Sequence, residues 1–367
     1  MRRCAVAEGV SKVRATATLV KNGRLFVGRA WTGMRARIDR PRAAHRPLIR
    51  GAGARTGRGG ADGLGSVGGR PAAGEGRRHM TTTTALLMAS FLPAFVALGL
   101  GNTLGYHRLF THRAFTARPA LRAALALLGA LHAGPPLLWI GLHRHHHLES
   151  DGPGDPHSPV NGGLLQAHAG WLLERAFGRR LGALPILLFA ASGFGQQALT
   201  LLHDIRRLQG RNPPVWLELC KDLREDRVLM ALERPLLTVS LFTLQLSALW
   251  WLAGPAGLLW LWALHLCLTN SSWAVNSICH GAAFGRAPYD TGEGSRDVPW
   301  LAPFTLGEAY HNAHHRYPRS ACHGLHGGFD PTWWCLRALR RAGLATTLWL
   351  PKEAKGPAAG AGGGGGG

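Results

Sequence analysis

Acidic residues are scarce in this chain. Twenty Asp and Glu stand against 42 Lys and Arg in 367 residues, giving a net charge of +22. Charge of either sign makes up only 17%, which is low for a soluble domain, while hydrophobic residues reach 46%. The six cysteines (Cys4, Cys220, Cys267, Cys279, Cys322 and Cys335) include no C-x-x-C pair. That argues against a zinc ribbon or a disulfide framework and suits free thiols in a reducing compartment or in lipid. No H-E-x-x-H occurs, which weakens a zinc-protease reading. No recognition motif accompanies the arginines, so the basic balance points to an anionic membrane face or anionic substrate and not to nucleic acid.

The charge is unevenly spread. Residues 1–79 hold 18 Lys and Arg and 4 Asp and Glu, or +14, leaving +8 for residues 80–367. Rich in Arg, Gly and Ala and without an apolar period, residues 1–79 read as a disordered basic segment. Their low acid content resembles a transit peptide, but the segment is long and Gly-rich for one. The other reading sets the natural start at Met80. Residues 351–367 read as a disordered Gly/Ala-rich tail. Between these lie three apolar runs of about the ~20 residues that span a bilayer as a helix: 86–106, 234–254 and 255–275. Gly254-Pro255 punctuates a tight hairpin between the last two. Two further runs are interrupted. Residues 120–142 are broken by Gly134-Pro135-Pro136, and 181–203 carry Ser192, Gln196 and Gln197.

Histidine is what the chain has in excess. HRHHH at 143–147 could be a solvated loop, but three more clusters have matching spacings. His107 and His112 are H-x4-H; His143, His146 and His147 are H-x2-H-H; His311, His314 and His315 repeat that spacing; Asn276 and His280 are N-x3-H. On a helix, positions i, i+3 and i+4 share a face, so each H-x2-H-H can aim three rings one way. An i, i+5 pair diverges by about 140° on a regular helix, so His107 and His112 either serve two metal ions or need local unwinding. Zinc is usually satisfied by about four ligands, so nine imidazoles suit two metals with four or five nitrogens each. Asn276 would complete one sphere directly or through water. Imidazole suits Fe, Zn, Cu and Ni, so ligand type alone does not choose the metal. His132, His168 and His265 stand alone and read as hydrogen-bonded structural residues. His145 and His157 read as neighbours of the ligands or as solvated. Asp151 and Asp155 could orient ligand imidazoles or cap a loop. Arg113 and Arg144 suit an acyl carrier, a lipid phosphate or the positive-inside bias.

These clusters, with GYHRLFTHRAF, SDGPGDPHSP, AHAGWLL, SSWAVNSICH, GEAYHNAHHRYPRSACHGL and FDPTWW, resemble the membrane-bound fatty acyl desaturases of the stearoyl-CoA (delta-9) type, including bacterial members. The resemblance runs from about Gly101 to Ala345, and residues 178–214 look like an insertion. It implies an all-α integral membrane protein, with a few transmembrane helices and a cytoplasmic helical cap carrying a histidine-rich di-metal site, over residues 80–350. The metal ligands it implies are His107, His112, His143, His146, His147, His280, His311, His314 and His315, with Asn276 holding a water on one iron. Trp139 matches a tunnel aromatic, or else anchors the interface; Ser272 lines the tunnel or packs. The implied cofactors are two Fe ions, with O2 as co-substrate. The implied partners are a fatty acyl-CoA or acyl-lipid substrate, membrane lipid, and a separate electron donor. That donor would be a ferredoxin, or a b-type cytochrome with an NAD(P)H reductase, because no flavin, haem or ferredoxin signature is fused here. The reaction implied inserts a cis double bond, with delta-9 the expected position. A membrane di-iron hydroxylase or ketolase and a non-enzymatic metal carrier are the alternatives.

A single site requires every histidine box to lie on one membrane face, so the chain crosses an even number of times between boxes. Residues 120–142 then cannot be one span, the 234–275 hairpin supplies two crossings, and 181–203 is expected to be interfacial. With only 86–106 ahead of His107, a native 1–79 would put +14 outside, against the positive-inside rule. Cysteine labels at positions 113 and 190 are expected to react from the same cytoplasmic side; labelling from opposite sides contradicts this topology.

Overall fold

The computed structural model of the protein describes residues 73–210 and 218–352. Most of the segment read as basic and disordered, and most of the Gly/Ala-rich tail, lie outside the described residues. The described chain is mostly helical. One departure from an all-α architecture is a two-stranded antiparallel ladder, β1 (Thr116–Ala117) with β2 (Ala345–Thr346), in which Thr116 faces Thr346. It ties the loop after the first histidine pair to the chain's far end.

Helix α1 (Ala73–Leu100) contains the first apolar run and begins before Met80. It continues without a break into a π-helical segment, Gly101–Thr111, every residue of which is buried. Its apolar outer face is bare: Leu86, Met88 and Leu92 are all largely exposed. The runs 234–254 and 255–275 lie within Leu237–Ile278, where Gly254 leaves helical geometry at φ 55°, ψ −139°. Only a residue without Cβ adopts that ψ at positive φ readily. The chain turns back there. The rings of Phe242 and His265 are 5.3 Å apart, whereas a straight helix would separate 23 positions by about 34 Å. The limbs of this hairpin expose Leu244, Trp251, Leu252 and Leu259. Together with α1 they form the apolar surface that a bilayer would cover.

The interrupted runs are bent. Helices α2 (Pro119–Ala133) and α3 (Pro136–Glu149) meet at 83° across Gly134-Pro135. Pro136 at the first helical position of α3 donates no N–H, which suits a helix start. After α4 (Pro159–Leu165), a short π segment (Gln166–Gly170) and α5 (Trp171–Phe177), helices α6 (Ala183–Ala191) and α7 (Gly195–Leu208) meet at 101°. Neither pair is a straight span. The remaining helices include Arg227–Leu232, the short helix His311–Arg316 and the helix Pro331–Arg341.

A buried ionic knot joins these parts. Arg108 is fully buried and donates to Glu308 at 3.0 Å, to both Asp330 oxygens at 3.0 Å and to the carbonyl of Ala321 at 2.9 Å. Asp330 also caps Pro331–Arg341 by accepting from the N–H of Trp333 at 2.9 Å. Losing one partner of such a knot leaves an uncompensated buried charge, a cost of about 3–5 kcal/mol.

Close helix approach positions the π segment. A Cβ on Gly101 would lie 2.3 Å from the backbone nitrogen of Gly129 in α2 and 2.4 Å from Leu128. Backbone cannot give way as a side-chain tip can, and small residues at such crossings let helices touch. Gly101→Leu is expected to lower the apparent Tm in detergent sharply, because overpacking costs about 1–3 kcal/mol. An unchanged midpoint contradicts this packing.

Candidate metal centre

The π-helix resolves the first spacing. Its i→i+5 bond, from the N–H of His112 to the carbonyl of His107 at 3.1 Å, brings residues five apart onto one face. The two rings then lie 4.8 Å apart, centre to centre. Of the two alternatives, the structure has the local unwinding, and both rings face one cluster.

The H-x2-H-H triplets do not act as triplets. In α3, His143 and His147 face one cluster while His146 faces another; in His311–Arg316, His314 joins the first while His311 and His315 join the second. Positions i+3 and i+4 differ by about 100° around a helix, whereas i and i+4 differ by about 40°. Each helix therefore offers a pair to one cluster and a single ring to the other. The first cluster is His107, His112, His143, His147 and His314; the second is His146, His280, His311 and His315. Within each, the ligand atoms all lie within 4.8 Å of one another.

The donor set tests whether metal fits. Nε2 atoms face each other at 3.1 Å (His107–His314), 3.1 Å (His112–His143), 3.0 Å (His143–His147), 2.9 Å (His147–His314) and 3.1 Å (His311–His315). Carboxylates take the opposite ring nitrogens. The Nδ1 of His146 meets Asp155 at 2.9 Å, that of His280 meets Asp151 at 3.0 Å and that of His107 meets Glu308 at 2.5 Å. Glu293 lies 3.5 Å from the Nδ1 of both His280 and His315. A neutral imidazole with its proton on Nδ1 directs an Nε2 lone pair inward. Lone pairs converging at such distances repel unless cations lie among them.

Burial, reinforced by neighbouring imidazoles, holds His112, His143, His147, His311, His314 and His315 well below the ordinary histidine range. Burial also lowers His146, against the pull of Asp155. These rings are neutral at pH 7, the form that ligates metal. Burial alone would raise Asp155 and Glu308. The hydrogen bond from His146 outweighs it at Asp155, and His323, His107 and Arg108 outweigh it at Glu308, so both carboxyls stay ionised.

The remaining predicted residues fall as follows. Asn276 and Ser272 line two cavities near the clusters, one of about 640 Å³ and one of about 70 Å³. Trp139 lines both and stacks on His143, with ring centres 5.2 Å apart at 16°. His157 is buried beside Asp155 at 3.2 Å, so it neighbours the second cluster; His145 faces the carbonyl of Gly154 outside both clusters. His132, His168 and His265 are hydrogen-bonded, as expected of structural residues. Arg144 is committed within the fold: it donates to Asp222 at 2.6 Å and to the carbonyl of Phe110 at 2.9 Å, clamping the end of the π segment. Arg113 pairs with the same Asp222.

Sequence reasoning overlooked Glu293, Glu308 and His323. His323 is buried, with Nδ1 3.1 Å from Glu308 and its ring 4.5 Å from that of His314. The only sequence signal was that Glu308 and His323 flank the third box.

Fold and site together define a mostly helical protein with long apolar helices built round a double histidine cluster. The fatty acid desaturase family matches residues 84–327, and the chain belongs to that family, whose members are oxidoreductases acting on acyl chains. It is 33% identical over 258 residues to the sn-1 stearoyl-lipid 9-desaturase of Anabaena variabilis, covering 68% of this chain and 79% of the relative. It is 31% identical to an acyl-CoA 5-desaturase of Anemone leveillei, covering 69% and 68%. It is 29% identical to the chloroplastic palmitoyl-monogalactosyldiacylglycerol delta-7 desaturase of Arabidopsis thaliana, covering 76% and 67%.

Carboxylates that orient metal-binding imidazoles typically matter about 10–100-fold to affinity. Asp155→Asn, Asp151→Asn and Glu308→Gln are each expected to weaken metal retention by that factor in competition with graded chelator. Glu174→Gln, remote from the clusters, should change nothing. Equal retention in all four variants contradicts the orienting role.

Proposed function

We propose that this chain is an integral membrane, di-iron, O2-dependent acyl desaturase that inserts a cis double bond into a saturated chain carried by CoA or lipid. The nine inward imidazoles, divided five and four beside a cavity of about 640 Å³, are the observation that carries this reading. His107, His112, His143, His147 and His314 would hold one iron. His146, His280, His311 and His315 would hold the other, with Asn276 supplying a water-mediated contact. The helical cap with its metal site would lie at the cytoplasmic face, and α1 and the 237–278 hairpin would cross the bilayer.

Two irons with O2 supply the oxidising power that an unactivated methylene C–H demands and that protein acids and bases lack. The overall change removes two hydrogens from adjacent carbons. Those two hydrogens, with one O2, two electrons and two protons, give two waters. The electrons would come from a separate ferredoxin, or from a b-type cytochrome with its NAD(P)H reductase. The chain's own residues do the positioning. Adjacent methylenes are chemically alike, so only their placement beside the metal selects one. Trp139, stacked against His143, would press the acyl chain towards the clusters, and Ser272 and Asn276 would border it on the hairpin side. The apolar wall, including Leu138, Leu142 and Trp171, would exclude water. The delta-9 position is proposed from the stearoyl-lipid 9-desaturase among the relatives.

Expression in an unsaturated-fatty-acid auxotroph, with double-bond localisation by mass spectrometry, tests the reading. A new cis monoene is expected, falling to background in His146→Ala and His314→Ala. No monoene from iron-replete cells contradicts desaturation, and an oxygenated product moves the reading to a hydroxylase or ketolase.

A further inference from the structure

Asn102, His132, Trp139, His143, Ser272 and Asn276 line both cavities beside the histidine clusters. An all-methylene chain is best matched by an apolar wall, yet Asn102, His132, Ser272 and Asn276 are polar and lie outside the nine-histidine set. His132 is tied to His265 at 3.4 Å. Asn102 is not tied: it is 8% exposed, and its Oδ1 has no hydrogen-bond partner among the described residues. Thr269 lines the larger cavity, is 3% exposed, and its Oγ1 is likewise unpaired. Their neighbours are satisfied. Thr103 meets Thr332 at 2.8 Å, and Ser277 donates to the carbonyl of Trp273 at 3.2 Å. A helical hydroxyl can bond back to the carbonyl four residues earlier, as Ser277 does and Thr269 does not. The indole N–H of Trp171 is also unpaired, but it lies on α5, which carries no cluster histidine.

Register places both groups on elements that lead into ligands. Asn102 precedes His107 by five residues, as His107 precedes His112, so in the π segment it continues the face that carries both rings. Thr269, Ser272 and Asn276 are i, i+3 and i+7 on the hairpin's return limb and share one face. The two elements lie side by side at this level: a Cβ on Gly99 would be 3.6 Å from the side chain of Leu268. A plain hydrocarbon pressed against this wall leaves both groups unpaired and dry, which is costly. A ketone or ester oxygen only accepts. A hydroxyl donates and accepts, and so do the Asn102 amide and the Thr269 hydroxyl.

We propose that Asn102 and Thr269 are specificity residues that select an acyl chain already carrying a hydroxyl group, which they hold by hydrogen bonds beside the histidine clusters. This assignment deepens the desaturase reading and rests on it, because it takes the cavities as the acyl chain's path. The hydroxyl is not consumed. It anchors the chain part-way along its length, and so sets which neighbouring methylenes reach the clusters. A site built to hydrogen-bond a substrate hydroxyl also rejects the analogue that lacks it, because its own buried groups are then left unpaired.

The test is equilibrium binding to the purified iron-loaded full chain in nanodiscs, without an electron donor so that no turnover occurs. The probes are methyl stearate, the methyl monohydroxystearates with the hydroxyl at successive carbons, and the keto ester matching the tightest of these. Wild type should bind at least one hydroxy ester about tenfold more tightly than methyl stearate. That gain should depend on the hydroxyl's position, and the matching keto ester should gain less. Positional isomers have the same polar group, so the position dependence reports the site, and it is read on wild type without relying on any variant's folding. Asn102→Leu and Thr269→Val should each lower the gain while holding methyl stearate at least as tightly, because each makes the wall apolar. Equal affinity of wild type for methyl stearate and every hydroxy ester, an equal gain from the keto ester, or an intact preference in either variant overturns the site. Absence of any monoene in cells alongside an intact hydroxyl preference would sink the desaturase reading and leave the hydroxyl site standing.

Discussion

Nine imidazoles turned inward, with Nε2 atoms as close as 2.9 Å, dominate the design of this protein. Carboxylates lie against the Nδ1 atoms of His107, His146, His280 and His315, which turns their Nε2 atoms inward, and wherever two facing Nε2 atoms both lack a proton they repel across 2.9–3.3 Å. Apolar packing cannot resolve that repulsion, nor can hydrogen bonding when both nitrogens lack a proton. Cations can. Four carboxylates (Asp151, Asp155, Glu293 and Glu308) sit directly behind the rings, and Arg108 offsets only part of their charge. The balance of charge as well as the lone-pair geometry suits two divalent ions.

The rest of the fold can be understood as the means of holding that arrangement beside a lipid phase. The nine histidines come from four separate stretches of chain, and each needs rigid backbone. The π-helix supplies the i+5 register for His107 and His112 and is pressed onto α2 through Gly101. Arg108, on the same segment, reaches Glu308 and Asp330, so one residue's burial fixes the first box against the third box and the final helix. The bends between α2 and α3 and between α6 and α7 keep the second box and the cavity wall beside the site without a straight crossing.

Much of this was legible in the sequence, for definite reasons. Metal ligation needs several imidazoles on short helical repeats, so the four clusters stood out by spacing, and Gly254-Pro255 marked the hairpin because few other dipeptides reverse a helix. Gly134-Pro135-Pro136 likewise announced the break in 120–142. The five-and-four partition was not legible: adjacent positions 146 and 147 look alike in a string, and only the relative rotation of two helices divides them. The unwinding at 101–111 was one of two options left by H-x4-H, because a π register is imposed by packing and not by residue type. Glu293, Glu308 and His323 went unread because a carboxylate or imidazole that acts from behind a ligand has no fixed spacing to it. The small β ladder escaped notice because two residues carry no period.

On the proposed reading the two imidazole clusters each hold one iron. Metal analysis of purified protein, wild type against His112→Ala with His143→Ala, tests it most directly, with X-ray absorption at the iron edge. Two irons per chain are expected in wild type with nitrogen-dominated coordination, and close to one iron in the double variant, still bound to imidazole. A single iron in wild type, a sulfur-ligated metal, or loss of no iron from the variant would contradict it.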